Sequence, residues 1–312
     1  MVAEIILFIA GLVLLIKGSD YFVEAASRVA KGFGVSEFVI ALVLASIATT
    51  LPEVTVSAIS SYQGNPDIAL GNAIGSALAN IALILGLSAL IMPLKVESGA
   101  WKNALFMVAV TLYAGLLMYD GTISRLDGAS LIVIYFGFLY YLYRKHMTLE
   151  ELPEGGRGNP KRDALIMFIS GLVVVVGAKL VVNSAVTIAE SLGIPEVVIG
   201  LTMVSIGTSL PELANSLTAT LKRLPNISVG NIIGANILDI LMVIGIAALI
   251  NPIRVDHTIY TFTLPLTLLV MLILTGSLRF TGRLGRATSA VLLTIYGYFL
   301  YVYYFTYSSG GP

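Results

Sequence analysis

SIATTLPE, Ser46 to Glu53, returns later in the chain as SIGTSLPE, Ser205 to Glu212, at an offset of 212 − 53 = 159 residues. In both copies hydroxyls, a proline and a glutamate interrupt an apolar run too long to be a soluble strand. Sliding the chain on itself by that offset aligns residues 18–97 with 177–256 without a gap, and Pro93 meets Pro252. VIALVLASIATTLPE, from Val39, faces VIGLTMVSIGTSLPE, from Val198; GNAIGSALAN, from Gly71, faces GNIIGANILD, from Gly230. The chain is an internal duplication, and the duplicated part is the polar part.

Composition fixes the solvent. Of 312 residues 57% are hydrophobic and only 12% charged, more apolar surface than a water-soluble domain of this length hides in one core. An all-α integral membrane protein is expected. About 20 apolar residues cross the hydrocarbon layer, and ten such spans lie near 3–29, 36–61, 66–92, 99–119, 126–144, 163–189, 195–221, 226–250, 257–277 and 286–307. The first has no basic flank ahead of it, so it reads as a retained helix rather than a signal peptide. Formal net charge is zero, which gives nucleic acid nothing to bind. With no cysteine there is no disulfide, thiolate metal site or thiol nucleophile, and His146 and His257 fall in polar stretches between spans. Any cation must be held by oxygen.

Fourteen lysines and arginines fall in one set of alternate loops, against Arg125 and Arg254 in the other, with Lys17 and Lys179 inside spans. Basic residues are retained in the cytoplasm, so both termini are expected outside, with Trp101 and the tyrosines from Tyr296 to Tyr307 as interfacial anchors. Residues 1–145 form a first five-span unit, 146–162 a polar cytoplasmic linker, and 163–312 a second unit. An odd number of spans per unit makes the second copy enter the membrane in the opposite sense. The expected architecture is therefore ten transmembrane helices in two inverted five-helix repeats, as in secondary transporters with a site near the midplane.

At 100° per residue Ser46, Thr49, Thr50, Glu53 and Ser57 share one helix face, and Ser205, Thr208, Ser209, Glu212 and Ser216 repeat it. Such a stripe is costly against lipid and faces the interior. Pro52 and Pro211 have no amide hydrogen for the preceding turn, which opens carbonyls around 46–49 and 205–208. On the next spans Asn72, Ser76 and Asn80 are answered by Asn231, Ala235 and Asp239, and Gly71/Gly75 and Gly230/Gly234 form small-xxx-small pairs that bring backbones together. No lysine or arginine lies in these four spans. Glu53, Glu212 and Asp239 place up to three negative charges in a low-dielectric space, which needs cations or protons there. Carboxylate, hydroxyl, amide and carbonyl oxygens suit hard cations. One divalent or several monovalent ions neutralise the same set, and their competition is the physical basis of exchange.

At these residues the chain resembles the sodium/calcium exchanger branch of the cation/calcium exchanger superfamily, in its compact prokaryotic form, whose alpha-repeats carry G-T-S-x-P-E and G-N-x-x-G-S-x-x-x-N/D. The alpha-repeats would be about 36–92 and 195–250. The resemblance implies that Glu53 and Glu212 share Ca²⁺ with the carbonyls of Thr49 and Thr208. It implies Na⁺ sites built from Thr50, Ser76, Thr208 and Ser209 and the carbonyls of Ser46 and Ser205, with Asn80 and Asp239 completing the centre. The first and sixth spans would be the sliding, gating pair. Ala48 and Thr50 depart mildly from the pattern; Ala235, where serine is expected opposite Ser76, removes a hydroxyl. Lys17, Asp20, Glu24 and Lys179 read as local or snorkelling charges.

The resulting expectation is a Na⁺/Ca²⁺ antiporter working by alternating access in the cell membrane, a monomer in the lipid bilayer, with no cofactor and no enzymatic activity. An H⁺/Ca²⁺ exchanger is the rival within the class, and a passive cation channel or an intramembrane acid hydrolase the rivals outside it.

Overall fold

The computed structural model describes residues 2–33, 35–147, 159–191 and 209–308. Among them the chain is almost wholly helical. Helix α1 is Val2–Phe33 and α7 Pro160–Ser191; α5 is Ala100–Leu117 and α6 Arg125–Met147. A bent pair, α2 (Glu37–Thr49) and α3 (Leu51–Tyr62), turns by 43° at Thr50. Helix α8 is Leu210–Leu221 and α11 Arg286–Ser308. Three further helices are α4 (Pro66–Ile91), α9 (Pro225–Ile250) and α10 (Ile259–Thr281). Seven helices are long and apolar enough to cross a membrane, or eight if the bent pair counts as one span. Helix α11 covers the tenth expected span without reaching that measure; of the seventh, residues 195–208 lie outside the described residues, as does most of the linker.

Proline sets the helix starts. Pro52 and Pro211 stand in the first turn of α3 and α8, and Pro66 and Pro225 open α4 and α9, positions where a missing N–H costs nothing. The tight links from α3 to α4 and from α8 to α9 both need a left-handed residue. Gly64 takes it with φ 89°, and the equivalent position in the second copy is Arg223, with φ 60°. Glycine pays no steric cost there; arginine does.

Helices α4 and α9 are buried along most of their length, whereas α1, α5, α6, α7 and α10 bury well under half of theirs. The core thus centres on α4 and α9, with α5, α6, α10 and α11 packed around it. Two short antiparallel bridges tie the ends of the bundle crosswise. Strand β1 (Leu94–Lys95) pairs with β4 (Arg283–Leu284), and β2 (Thr122–Ile123) with β3 (Ile253–Arg254). Leu94, Leu284, Ile123 and Ile253 are fully buried at these bridges.

Helices α1 and α7 lie against one another at the periphery. A Cβ on Gly177 would sit 2.7 Å from the Leu15 nitrogen and 2.9 Å from the Gly11 carbonyl, so the crossing is backbone on backbone. Arg28 of α1 bonds to Asp163 of α7 at 2.9 Å, and Ser27 hydrogen-bonds to Glu37 at the entry to α2.

Candidate functional site

Thr50, at the bend between α2 and α3, and its repeat equivalent Ser209, just ahead of α8, have the same backbone. Thr50 has φ −84° and ψ 0°, and Ser209 φ −88° and ψ 6°, in the sparsely used bridge region. Each is followed by Leu-Pro-Glu, so each glutamate sits in the first turn of a new helix. Ser46, Thr49, Thr50, Glu53 and Ser57 are all buried, as are Ser209, Glu212 and Ser216. The expected polar face does point inward. Ser205 and Thr208 lie outside the described residues.

Helix α9 closes the site from the other side. A Cβ on Gly234 would stand 2.1 Å from the Leu42 carbonyl and 2.6 Å from the Ser46 hydroxyl, and one on Gly230 2.6 Å from the Phe38 carbonyl. The second small-xxx-small pair thus lays α9 on the backbone of α2. Residues 197–205, which the repeat sets opposite Gly71 and Gly75, lie outside the described part of the chain. The close approach brings Asn231 to Thr49, whose hydroxyl donates to its Oδ1 at 3.3 Å. Across the centre the Thr50 hydroxyl donates to Glu212 Oε1 at 3.3 Å, and Ser209 reaches Ser76 at 3.4 Å. Asn72 donates to the Glu53 carbonyl at 3.4 Å and to Ser57 at 3.0 Å.

Asn80 and Asp239, equivalent in the two copies, touch one another: Asn80 Nδ2 lies 3.5 Å from Asp239 Oδ2. Asn236 donates to the carbonyl of Ala77, again 159 residues away, at 3.0 Å, and its own oxygen receives Asn80 Nδ2 at 2.9 Å. Asn80 and Asp239 each begin a π-helical turn, Asn80–Leu85 and Asp239–Val243. Such turns widen the backbone ladder and often mark functional positions.

Three details refine the sequence reading. The Ser46 carbonyl keeps its helical bond to the Thr50 amide at 2.9 Å and also accepts the Thr49 hydroxyl at 3.3 Å, while the Ser46 hydroxyl turns back to the Leu42 carbonyl at 2.7 Å. The carbonyl that Pro52 deprives of its partner is that of Ala48, four residues earlier. Second, among the described residues no three Asp, Glu or His side chains converge on one point. The buried polar set is therefore mostly neutral oxygens and amides around single carboxylates, with Asp239 against the Asn80 amide. Third, Asp20 and Glu24 are not merely local charges. Lys222, just past α8, reaches Asp20 at 3.4 Å and Glu24 at 2.7 Å, and Arg28 pairs with Glu24 at 3.7 Å. Nothing in the spacing announces a contact 198 residues apart.

Ala235, fully buried, is the repeat equivalent of Ser76, as Thr50 is of Ser209, so the Ser209–Ser76 contact has no hydroxyl counterpart at residue 235, and the Thr50 hydroxyl bonds to Glu212.

Buried carboxylates, hydroxyls and amides where the bent α2–α3 pair meets α4, α8 and α9, inside a polytopic helical bundle, define an intramembrane cation-handling protein. The chain belongs to the sodium/calcium exchanger family: the family's profile, described as sodium/calcium exchanger protein, matches residues 3–144 and 163–305. This is a family of membrane exchangers, not of enzymes. The chain is 38% identical over 291 residues to the uncharacterised membrane protein MJ0091 of Methanocaldococcus jannaschii, covering 93% of this chain and 94% of that one. It is 32% identical to the sodium/calcium exchanger MaX1 of Methanosarcina acetivorans, covering 96% and 98%. A structure of the sodium-calcium exchanger NCX_Mj, soaked with 2.5 mM Na⁺ and 1 mM Sr²⁺, superposes with a TM-score of 0.85 at 35% identity, covering 95% of this chain and 97% of that one.

Proposed function

We propose that this chain exchanges Na⁺ for Ca²⁺ across the cell membrane by alternating access, using ten spans in two inverted halves with both termini outside. The observation that carries the reading is the pair Glu53 and Glu212. They are equivalent in the repeat, both buried, and each sits in the first turn of a helix that begins after a hydroxyl residue, Thr50 or Ser209. No lysine or arginine lies in α2, α3, α4, α8 or α9 to neutralise them, so mobile cations must. The direct contacts between residues 159 apart, and the crosswise β bridges, fit a two-fold axis passing by Asn80 and Asp239. An odd number of spans per half sets that axis in the membrane plane.

In this reading Ca²⁺ is shared by Glu53 and Glu212 with the Thr49 and Thr208 carbonyls. Na⁺ ions take the flanking oxygens of Thr50, Ser76, Thr208 and Ser209 and the carbonyls of Ser46 and Ser205, and Asn80 and Asp239 complete the centre. Both loads compensate the same charges, so they exclude one another. Purified protein in Na⁺-loaded liposomes is expected to accumulate ⁴⁵Ca²⁺ when external Na⁺ is removed. Uptake driven by a pH gradient alone, or unitary currents in a planar bilayer, overturns the proposal.

Ala235→Ser restores a hydroxyl facing Thr50. One added ligand of hydrogen-bond strength, about 1 kcal/mol, lowers the half-saturating Na⁺ concentration about fivefold. The check is Ca²⁺ efflux measured against external Na⁺; an unmoved curve removes this position from the Na⁺ set.

A further inference from the structure

The two copies differ one turn beyond their glutamates, and the difference falls where the bundle is closed on one side only. Asn215 on α8 stands where α3 has Val56. Val56 is 40% exposed, Asn215 1%. Helix α1 runs along α8, but α7 makes no such seam with α3 among the described residues. The α1–α8 seam is held at two levels. Leu15 of α1, with Val174 and Ala178 of α7, forms a small apolar cluster against which Leu210 and Ala214 of α8 pack, and further along Lys222 pairs with Asp20 and Glu24. Asn215 lies on α8 between those contacts, and Ser19 on α1 between them.

Among the described residues neither the oxygen nor the nitrogen of the Asn215 amide has a hydrogen-bond partner, and the hydroxyls of Ser19 and Ser216 have none either. In the first copy the positions equivalent to Asn215 and Ser216 are satisfied: residue 56 is apolar, and Ser57 receives Asn72 at 3.0 Å. A buried amide with nothing to bond is a penalty on the arrangement that buries it. It is not a penalty on an arrangement in which α1 stands off α8 as α7 stands off α3 here.

We infer that Asn215 is a state-dependent residue of the ion path: shut away under α1 in the arrangement seen, and water-lined when α1 separates from α8, where its amide oxygen meets the hard cation passing between Glu212 and the Lys222 end. Its burial raises the energy of the arrangement closed over α8 and so keeps the exchanger from resting there. Ser216, on the same side, and Ser19, across the seam, continue the polar lining. The Lys222 pairs with Asp20 and Glu24 must part for that route to open. This rests on the antiport reading above.

The chain contains no cysteine, so single-cysteine variants report cleanly. In exchanging proteoliposomes a membrane-impermeant maleimide is expected to modify Val56→Cys and Asn215→Cys from opposite faces, with Asn215→Cys labelled more slowly and only while transport ions are present. Asn215→Val, which carries the first-copy residue, is expected to melt at a higher temperature yet exchange about tenfold more slowly, as about 1.4 kcal/mol added to the transition. Asn215→Thr, equal in shape to valine but bearing an oxygen, restores most of the rate. Labelling of both cysteines from one face, or no labelling of Asn215→Cys while exchange runs, overturns the inference, as does a lower melting temperature or an unchanged rate in Asn215→Val. Absence of Na⁺/Ca²⁺ exchange in the unmodified protein would instead sink the antiport reading itself.

Discussion

Glu53→Gln and Glu212→Gln are each expected to abolish Na⁺-driven Ca²⁺ uptake, with a loss on the order of 10²- to 10³-fold. Each substitution keeps the shape of the side chain and removes one of the charges that a buried divalent ion needs. Taking away one partner of a buried charge pair costs about 3 to 5 kcal/mol, and each ~1.4 kcal/mol is a factor of ten. Both glutamates lie in the first turns of equivalent helices, so the two variants should fail alike. Loss in one and retention in the other would mean that the ion is not shared. Asp67→Asn is the control. Asp67 is exposed in the first turn of α4, and surface substitutions of this kind stay within about 0.5 kcal/mol, so its uptake should stay within about twofold of the original. Initial rates of ⁴⁵Ca²⁺ uptake, normalised to reconstituted protein, decide the matter.

What could be read from the chain and what could not divides along a physical line. Duplication fixes equivalence, and equivalence picks out Glu53 with Glu212 and Asn80 with Asp239 without any coordinates. Helical periodicity fixes which face is polar, and every described member of that face is buried. Periodicity does not fix where hydrogen bonds go. Thus Ser46 faces inward yet spends its hydroxyl on its own helix, a choice made by local backbone geometry. Contacts between distant helices were equally silent. Lys222 with Glu24 needs the packing of α1 on α8, and Asn236 at the centre needs the two-fold approach of α4 and α9. The signal that would have found Asn236 and Asn215 is present in the aligned copies, where each replaces an apolar residue, Ala77 or Val56. A polar residue gained by one copy alone marks a place where the halves do different work.

The position at which site and fold are least separable is Gly234, and Gly234→Ala is expected to damage both. Its Cβ would fall 2.1 Å from the Leu42 carbonyl, with the Ser46 Oγ at 2.6 Å and Cβ at 2.7 Å. The nearest obstacle is a backbone oxygen, and the Ser46 Cβ is fixed to its own backbone; neither has a rotamer to yield, so α9 must move away from α2. Overpacking of this kind costs about 1 to 3 kcal/mol where a core adjusts. Between membrane helices, where close packing replaces the hydrophobic effect as the cohesive force, the lost contact along α2 adds to it. Moving α9 also carries Asn231 from Thr49, and it shifts Asp239, on the same helix, relative to Asn80 of α4. Gly234→Ala should therefore melt lower in detergent and lose exchange even at temperatures where it remains folded. Gly276→Ala on α10, whose Cβ would meet nothing within 4 Å among the described residues, should change neither. A Gly234→Ala protein with undiminished exchange would mean that the contact of α9 on α2 does not hold the site together, and that the small-residue pair serves packing alone.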